Sequence, residues 1–144
     1  GITAPHPEGQ GAEASMRRAL KDADVRIEDV DWINAHATAT PQGDIAESCA
    51  IQRIFGDTVG VSSLKGLVGH CLAAAGAVEA AATVLAMAEG FTPGTVGCLS
   101  PDDFGIQVVQ ESLSHGPTVA LSNSFGFGGQ NTTLLFRQVP GVKQ

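Results

Sequence analysis

The sequence predicts an α/β domain in which helices are layered on a mixed, mostly parallel sheet. Helical and strand patterns alternate in the order α-β-α-β-α, which is typical of parallel sheets covered by helices. The last two strand patterns, residues 118–123 and 132–137, flank a glycine-rich loop, so we expect an antiparallel hairpin at one edge. Residues 73–88 are mostly alanine with a single charge, which predicts a buried helix because a surface helix would carry a polar face.

The individual elements follow from periodicity and from residues that begin or end helices. Apolar residues recur on one face of an amphipathic helix at residues 9–24. Thr40 as N-cap and Pro41 at the first helical position begin a second helix, and Gly56 ends it. Gly90 ends the alanine-rich helix. In chain order, the predicted strands are residues 30–35, 58–62, 106–109, 118–123 and 132–137.

Composition restricts the classes of function. With 8 basic and 15 acidic residues the net charge is −7, and no basic run is present, so nucleic-acid binding is not expected. No apolar run approaches the roughly 20 residues of a membrane span, and the alanine-rich helix carries Glu79, so no membrane insertion is expected. The three cysteines, Cys49, Cys71 and Cys98, lack CxxC spacing, which argues against disulfides and zinc and fits a reducing cytoplasm.

Polar and glycine-rich clusters follow three of the predicted strands. His36 follows the first strand, Lys65 and His70 follow the second, and a glycine loop at residues 124–131 follows the strand at 118–123. In open α/β sheets, the carboxyl ends of parallel strands gather the residues of active sites. We therefore expect these three clusters to form one active site.

Three other interpretations of these residues are less favourable. His36, His70 and Asp44 could bind a metal, but no HxxxH pair supports this and Lys65 would add a repulsive positive charge. Cys71 adjoins His70 and could be a nucleophile paired with it, but neighbouring helical residues do not face each other. Cys71 is also flanked by apolar residues, which favours a thiol in the core. The glycine loop runs into a strand rather than a helix, so it offers backbone N–H groups to an oxyanion rather than binding a dinucleotide.

Three motifs together resemble the β-ketoacyl-[acyl-carrier-protein] synthases, condensing enzymes of the thiolase-like superfamily. The motifs are NAHATATPQGD at 34–44, SLK at 63–65 with GH at 69–70 and AAGAVE at 74–79, and NSFGFGGQN at 123–131. The resemblance implies a thiolase-like layered fold, with residues 1–144 as the C-terminal domain. The sequence departs from the family pattern at Ala37, Leu64 and Gln130, where glycine or threonine is common.

The resemblance also implies a chemistry. In this family a cysteine takes an acyl chain from carrier protein, malonyl-carrier protein loses CO₂, and the carbanion attacks the acyl thioester in fatty acid or polyketide synthesis. His36 and His70 match the histidine pair that assists decarboxylation, where two imidazole N–H donors can stabilise negative charge on the thioester oxygen. Lys65 and Glu79 match a structural charged pair behind the histidines.

The remaining site residues are assigned through the same resemblance. Thr38 and Thr40 match hydrogen-bonding partners of the phosphopantetheine arm. The backbone N–H of Phe127 matches an oxyanion-hole donor and its ring matches a gate, while Phe125 and Phe127 match residues that bind the acyl substrate. No cofactor and no metal are expected, since phosphopantetheine arrives on the carrier protein as substrate.

The resemblance also implies binding partners, and parts of the enzyme that this chain is expected to lack. The expected partners are acyl carrier protein charged with acyl and malonyl groups, the N-terminal half of the enzyme, and a second copy in a homodimer. None of the three cysteines lies in the nucleophile motif of the family, and the chain begins near the first helix of the second half. We therefore expect the N-terminal half and the first, central strand of this half to be absent, and the isolated chain to fold poorly and to be inactive.

Two alternatives to a condensing enzyme remain. The first is a non-catalytic partner subunit that determines chain length in a ketosynthase heterodimer. Retention of both His36 and His70 disfavours it, since a subunit without chemistry need not keep the pair. The second is an acyltransferase of the same fold that does not decarboxylate its substrate.

Overall fold

A computed structural model of the protein describes residues 5–139 and 141, so the ends of the predicted 1–144 domain lie outside the described residues. The helices are α1 (Gln10–Ala23), α2 (Pro41–Phe55), α3 (Lys65–Val68) and α4 (Ala75–Glu89). The strands are β1 (Trp32–Asn34), β2 (Gly60–Ser62), β3 (Gln107–Val108), β4 (Val119–Phe125) and β5 (Asn131–Arg137). Short 3-10 turns occur at Ile27–Asp29, Leu72–Ala74 and Phe127–Gly129. All predicted strands are present, and the first three are shorter than expected.

The five strands form one sheet in the order β3-β2-β1-β4-β5. The first four are mutually parallel, and β5 returns antiparallel to β4, which confirms the mainly parallel sheet with an edge hairpin. The prediction that the sheet lacks a central strand is wrong, because β1 lies between β2 and β4 and pairs with both. The expected poor folding of the isolated chain therefore loses this physical basis.

Helices cover both faces of the sheet. Ile33 and Leu121 point to the face that packs against α1 and α2, where the larger apolar cluster lies. Trp32 and Ala120 point to the other face, where they meet Ala86 and Met87 of α4. Trp32 is completely buried, and its indole N–H donates a hydrogen bond to Ser62 Oγ at 2.7 Å, which ties β1 to β2. The alternation of side chains along β1 thus builds the predicted layered arrangement.

The alanine-rich helix is buried on one face only, which corrects the expectation of a buried helix. It begins as the 3-10 turn Leu72–Ala74 and continues as α4 to Glu89. Its inner face packs on β4 and β5, whereas Val84 and Leu85 on its outer face are 47% and 62% exposed. The elements that pack extensively on α4 are β4, β5 and the preceding 3-10 turn, so among the described residues no second helix packs extensively on its outer face.

The segment Leu72–Glu89 also has, contrary to expectation, the length and apolar composition that would allow a helix to cross a membrane, with a mean hydropathy of 1.4. A packed helix of a folded domain can satisfy the same criterion. In the structure, Asn34 of β1 donates its side-chain amide to the Glu79 carbonyl at 3.3 Å and to Thr83 Oγ1 at 3.1 Å. These contacts fix α4 against the sheet through polar groups.

Candidate active site

The structure brings His36 and His70 together at the carboxyl ends of adjacent parallel strands. Asn34, at the end of β1, is in register with Ser62 at the end of β2, so the segments that follow leave the sheet side by side. The ring centroids of His36 and His70 are 5.5 Å apart, and the rings are nearly perpendicular, at 87°. Phe125, from the end of β4, has its ring centroid 5.6 Å from that of His36. All three predicted clusters therefore contribute to one region.

The loop that carries His36 is anchored to α2 by a buried carboxylate. Glu47 is only 4% exposed, and its two carboxylate oxygens accept the backbone N–H groups of His36 and Ala37, each at 2.9 Å. Ala37 and Ala39 have φ angles of 27° and 60°, in the left-handed region that L-residues avoid. Such a conformation persists only where its surroundings hold it, and here the Glu47 carboxylate supplies that restraint.

Sequence reasoning missed Glu47, although one signal was available. A glutamate flanked by Ala46 and Ala50 on the inward side of α2 is buried with them, and a buried carboxylate needs partners. Its third partner is the side-chain amide of Asn123, which donates to Glu47 Oε1 at 3.0 Å. Burial raises the pKa of Glu47 above its usual value, while these three hydrogen bonds oppose that shift.

Lys65 and Glu79 form the charged pair that the motifs imply. The Lys65 ammonium donates to Glu79 Oε1, and the two residues are 9% and 2% exposed. Lys65 begins α3 rather than lying in a turn, and the close approach of Gly66 to the Val96 carbonyl packs α3 against the loop after α4. The pair therefore joins α3 and α4 behind the histidines.

The surroundings of His36 favour its neutral form. Burial, followed by the positive charge of Lys65 and then by His70, lowers the pKa of His36 from 6.5 to about 4. Its Nδ1 is buried and has no hydrogen-bond partner among the described residues. The ring thus lacks the carboxylate that orients the histidine of a catalytic triad and strengthens it as a base. A neutral imidazole of this kind is suited to donating a hydrogen bond to a substrate oxygen.

The lowered pKa of His36 predicts a pH dependence of stability. Because the folded-state pKa lies below the unfolded value of 6.5, the neutral ring favours the folded state. This contribution is fully present above pH 6.5 and is lost as the pH falls through about 4. After allowance for solvent screening of a partly exposed ring, we expect a loss of about 1–2 kcal/mol in the free energy of unfolding.

Urea denaturation between pH 7 and pH 4 measures this loss, and NMR titration of the His36 ring measures its pKa. The variant His36→Gln serves as the control and should show a smaller decrease in stability over the same range. A His36 ring that titrates at its ordinary value would contradict the prediction.

The residues expected to contact substrate differ in their exposure. Thr38 is half-buried and Thr40 is exposed, and their hydroxyl oxygens are 3.0 Å apart. Thr40 occupies the predicted N-cap position, but its side chain makes no capping hydrogen bond. Phe127 lies in a 3-10 turn with 77% of its surface exposed, and the aromatic contacts among the described residues join His36 to Phe125 rather than to Phe127. The role of Phe127 as gate and oxyanion donor stays a prediction.

The described residues contain no group of three or more His, Cys, Asp or Glu side chains that could hold a metal ion. Cys71 is exposed, so the expectation of a core thiol is wrong. The reason is that it precedes the 3-10 turn Leu72–Ala74, at a point where the chain has not yet packed on the sheet. Cys49 and Cys98 are half-buried.

The α/β/α architecture that carries the paired histidines is shared with solved ketosynthases of the thiolase-like class, as comparison with known proteins shows. Residues 1–98 match the family described as "Beta-ketoacyl synthase, C-terminal domain". The chain therefore belongs to the β-ketoacyl synthase family, and it matches the C-terminal domain of that family.

Similar proteins support this assignment along nearly the whole chain. A 3-oxoacyl-[acyl-carrier-protein] synthase 2 from Synechocystis is 44% identical over 142 residues, which cover 95% of this chain and 34% of that protein. A β-ketoacyl synthase structure from Burkholderia phymatum has a TM-score of 0.89 at 37% identity, with coverage of 96% and 34%. A type II polyketide ketosynthase in complex with its acyl-carrier protein has a TM-score of 0.90 at 31% identity, with coverage of 96% and 35%. The chain spans about one third of the length of these relatives.

Proposed function

We propose that this chain is the C-terminal part of a β-ketoacyl-acyl-carrier-protein synthase. The complete enzyme catalyses the decarboxylative Claisen condensation of malonyl-carrier protein with an acyl-enzyme thioester. The observation that carries the proposal is the pairing of His36 and His70, with ring centroids 5.5 Å apart, at the carboxyl ends of β1 and β2. The family membership and the names of the relatives support the same reaction.

In the proposed reaction the histidines act on charge that develops on malonate. The bond between the methylene carbon and the carboxylate breaks, CO₂ leaves, and the electron pair forms an enolate on the thioester. His36 and His70 donate hydrogen bonds to the enolate oxygen, and donors placed in advance at such a site stabilise the transition state. The enolate carbon then attacks the acyl thioester carbonyl, and the cysteine thiolate leaves. Lys65 and Glu79 form a buried ion pair behind the histidines. Burial of the ring, with the positive charge of Lys65 as a second contribution, lowers the pKa of His36 and keeps it neutral.

The site supports decarboxylation better than the two alternatives. A non-decarboxylating acyltransferase would use a histidine as a base towards a thiol, and a ring with a pKa of about 4 and no carboxylate on Nδ1 is a weak base. A chain-length-determining subunit needs no paired histidines, although one similar structure is a ketosynthase in complex with its chain length factor. The retained pair therefore favours the catalytic subunit.

The proposal extends to substrates and partners. Acyl carrier protein delivers the acyl and malonyl groups, and its phosphopantetheine arm meets Thr38 and Thr40, with Phe125 and Phe127 towards the acyl chain. The enzyme needs no cofactor of its own, forms a homodimer and works in the cytoplasm, where a reducing environment suits free thiols. The isolated 144-residue chain is inactive in condensation, because none of its cysteines lies in the nucleophile motif of the family.

The test supplies the complete enzyme with malonyl-charged carrier protein, with and without carrier protein charged with an acyl chain. It measures CO₂ release and the β-ketoacyl product by mass spectrometry. We expect stoichiometric CO₂ and product when both substrates are present. Transfer of an acyl group between thiols, with neither CO₂ release nor a β-ketoacyl product, would identify the acyltransferase. Neither product nor CO₂, from a folded protein, would identify the non-catalytic subunit.

A further inference from the structure

A line of four polar side chains crosses the interior from α1 to the loop that carries His36. Ser15 Oγ on α1 lies 2.9 Å from Thr133 Oγ1 on β5. The Thr133 hydroxyl donates to Asn123 Oδ1 on β4 at 2.8 Å, across a directly paired position of the β4–β5 hairpin. Asn123 in turn donates to Glu47, which accepts the backbone N–H groups of His36 and Ala37.

The donors and acceptors along this line leave one arrangement for the Asn123 amide. An ionised Glu47 carboxylate can only accept, so it requires the NH₂ group of Asn123. The same NH₂ group lies 3.5 Å from Met16 Sδ, a second weak acceptor. The carbonyl oxygen of Asn123 must therefore face a donor, and the Thr133 hydroxyl supplies it. Asn123 is completely buried, so no solvent molecule at its surface replaces a missing partner.

We infer that Thr133 is a positioning residue for His36, acting through the orientation of the Asn123 amide and the Glu47 carboxylate. The inference rests on the proposed function, since it assigns Thr133 to the decarboxylation in which His36 takes part. Thr133 itself lies two strands away from β1 and does not touch the reacting atoms.

The backbone of the loop that carries His36 is strained, so the position of the loop depends on this line of hydrogen bonds. Ala37, held by Glu47, has a φ angle of 27°, and it returns towards an ordinary conformation when that restraint weakens. Without the Thr133 hydroxyl, the Asn123 carbonyl is a buried acceptor without a donor, and the amide is free to turn. Glu47 then loses its side-chain donor, and the two backbone groups that it holds become less restrained.

Ser15 stands one step further from the site. Its hydroxyl lies 2.9 Å from both the Ala12 carbonyl and Thr133 Oγ1. Because the Thr133 proton is directed to Asn123, Ser15 can only donate to Thr133 or turn to Ala12. Loss of the Ser15 hydroxyl therefore leaves the Thr133–Asn123 bond in place and has a smaller effect than loss of the Thr133 hydroxyl.

The test uses the complete enzyme and the nearly isosteric variant Thr133→Val, with Thr133→Ser as the variant that keeps the hydroxyl. Thr132→Val, at the exposed neighbouring position on β5, is the matched control. We expect Thr133→Val to lower malonyl-carrier-protein decarboxylation about 10-fold to 100-fold, the scale of a displaced catalytic group. Acyl transfer to the enzyme thiol should stay within about twofold of wild type, because it does not use the charge on malonate. Thr133→Ser and Thr132→Val should behave as wild type in both half-reactions.

A second measurement is independent of activity. Hydrogen exchange followed by mass spectrometry should show faster exchange of the amides of His36 and Ala37 in Thr133→Val and ordinary protection in Thr133→Ser, with β4 residues 119–121 unchanged in both. Equal losses in both half-reactions, or unchanged exchange at 36–37, would overturn the inference. If Thr133→Val does not fold, Thr133→Ala, which also removes the hydroxyl that donates to Asn123, decides with the same readouts. An unaltered decarboxylation rate with unaltered exchange in that variant would overturn the inference. If the wild-type enzyme does not decarboxylate malonyl groups, the proposed function fails, while the exchange result still decides the role of Thr133.

Discussion

His70→Ala in the complete enzyme should abolish malonyl decarboxylation while largely sparing acyl transfer to the nucleophilic cysteine. The His70 ring lies 5.5 Å from that of His36, and the proposed role of the pair is to donate hydrogen bonds to the oxygen that becomes negative as CO₂ leaves. Loss of a positioned donor or acid–base group of this kind lowers the rate by roughly 10²–10⁴-fold. Release of labelled CO₂ measures one half-reaction, and labelling of the enzyme by acyl-carrier protein measures the other.

His115→Ala is the matched control for this experiment. His115 is exposed, and its backbone carbonyl, rather than its ring, accepts a hydrogen bond from the Thr92 hydroxyl. Its removal should leave both half-reactions unchanged. If His70→Ala, with an unchanged melting temperature, reduced both half-reactions equally, the division of roles proposed for the histidine pair would be wrong.

Breaking the buried pair of Lys65 and Glu79 should have the largest effect on stability. Both side chains are almost fully buried. Lys65→Met therefore leaves the buried Glu79 carboxylate without its counter-charge, and Glu79→Leu leaves the buried Lys65 ammonium without its counter-charge. Removing one partner of a buried ion pair destabilises a protein by about 3–5 kcal/mol, whereas replacing both with apolar residues is often close to neutral. Each single variant should thus be much less stable than Lys65→Met/Glu79→Leu.

Urea denaturation of the three variants and the wild type completes a double-mutant cycle for this pair. The exposed pair of Arg26 and Asp29 provides the comparison, and Arg26→Ala should leave the free energy of unfolding nearly unchanged. Loss of the Lys65 charge should also raise the pKa of His36, since that charge is one of the groups that lower it. Additive effects of the two single substitutions would show that the ion pair does not couple the two side chains.

The sequence was sufficient to predict the fold class and the convergence of the three polar clusters at one edge of the sheet. Parallel strands end at one edge, so polar clusters after three strands had to meet there, and His36, His70 and Phe125 do so. The order of strands depends on packing between distant segments, and the expectation of a missing central strand failed for that reason. Local pattern also does not show what covers a helix, so the exposed outer face of α4 was not foreseen.

The supporting residues of the site were harder to predict than the histidines. Glu47 lies in α2, and its significance depends on three donors that come from the His36 loop and from β4. Asn123 and Thr133 face each other only because of the register of the β4–β5 hairpin. Such partnerships arise from tertiary structure, and no periodicity within one segment encodes them. The departure at Ala37 is a partial exception, because a position where glycine is common in the family has a positive φ angle here.

The completely buried indole of Trp32 gives the chain an intrinsic optical probe beneath the candidate active site. The sequence contains one tryptophan and no tyrosine, so fluorescence excited in the near ultraviolet arises from a single aromatic group of β1. Its ring rests among apolar side chains, while its N–H bonds to Ser62 on the strand that leads to His70. Emission from the folded chain should accordingly lie at short wavelength and move to the red when β1 and β2 separate. The same spectrum therefore monitors whether the two strands that carry the histidines remain joined.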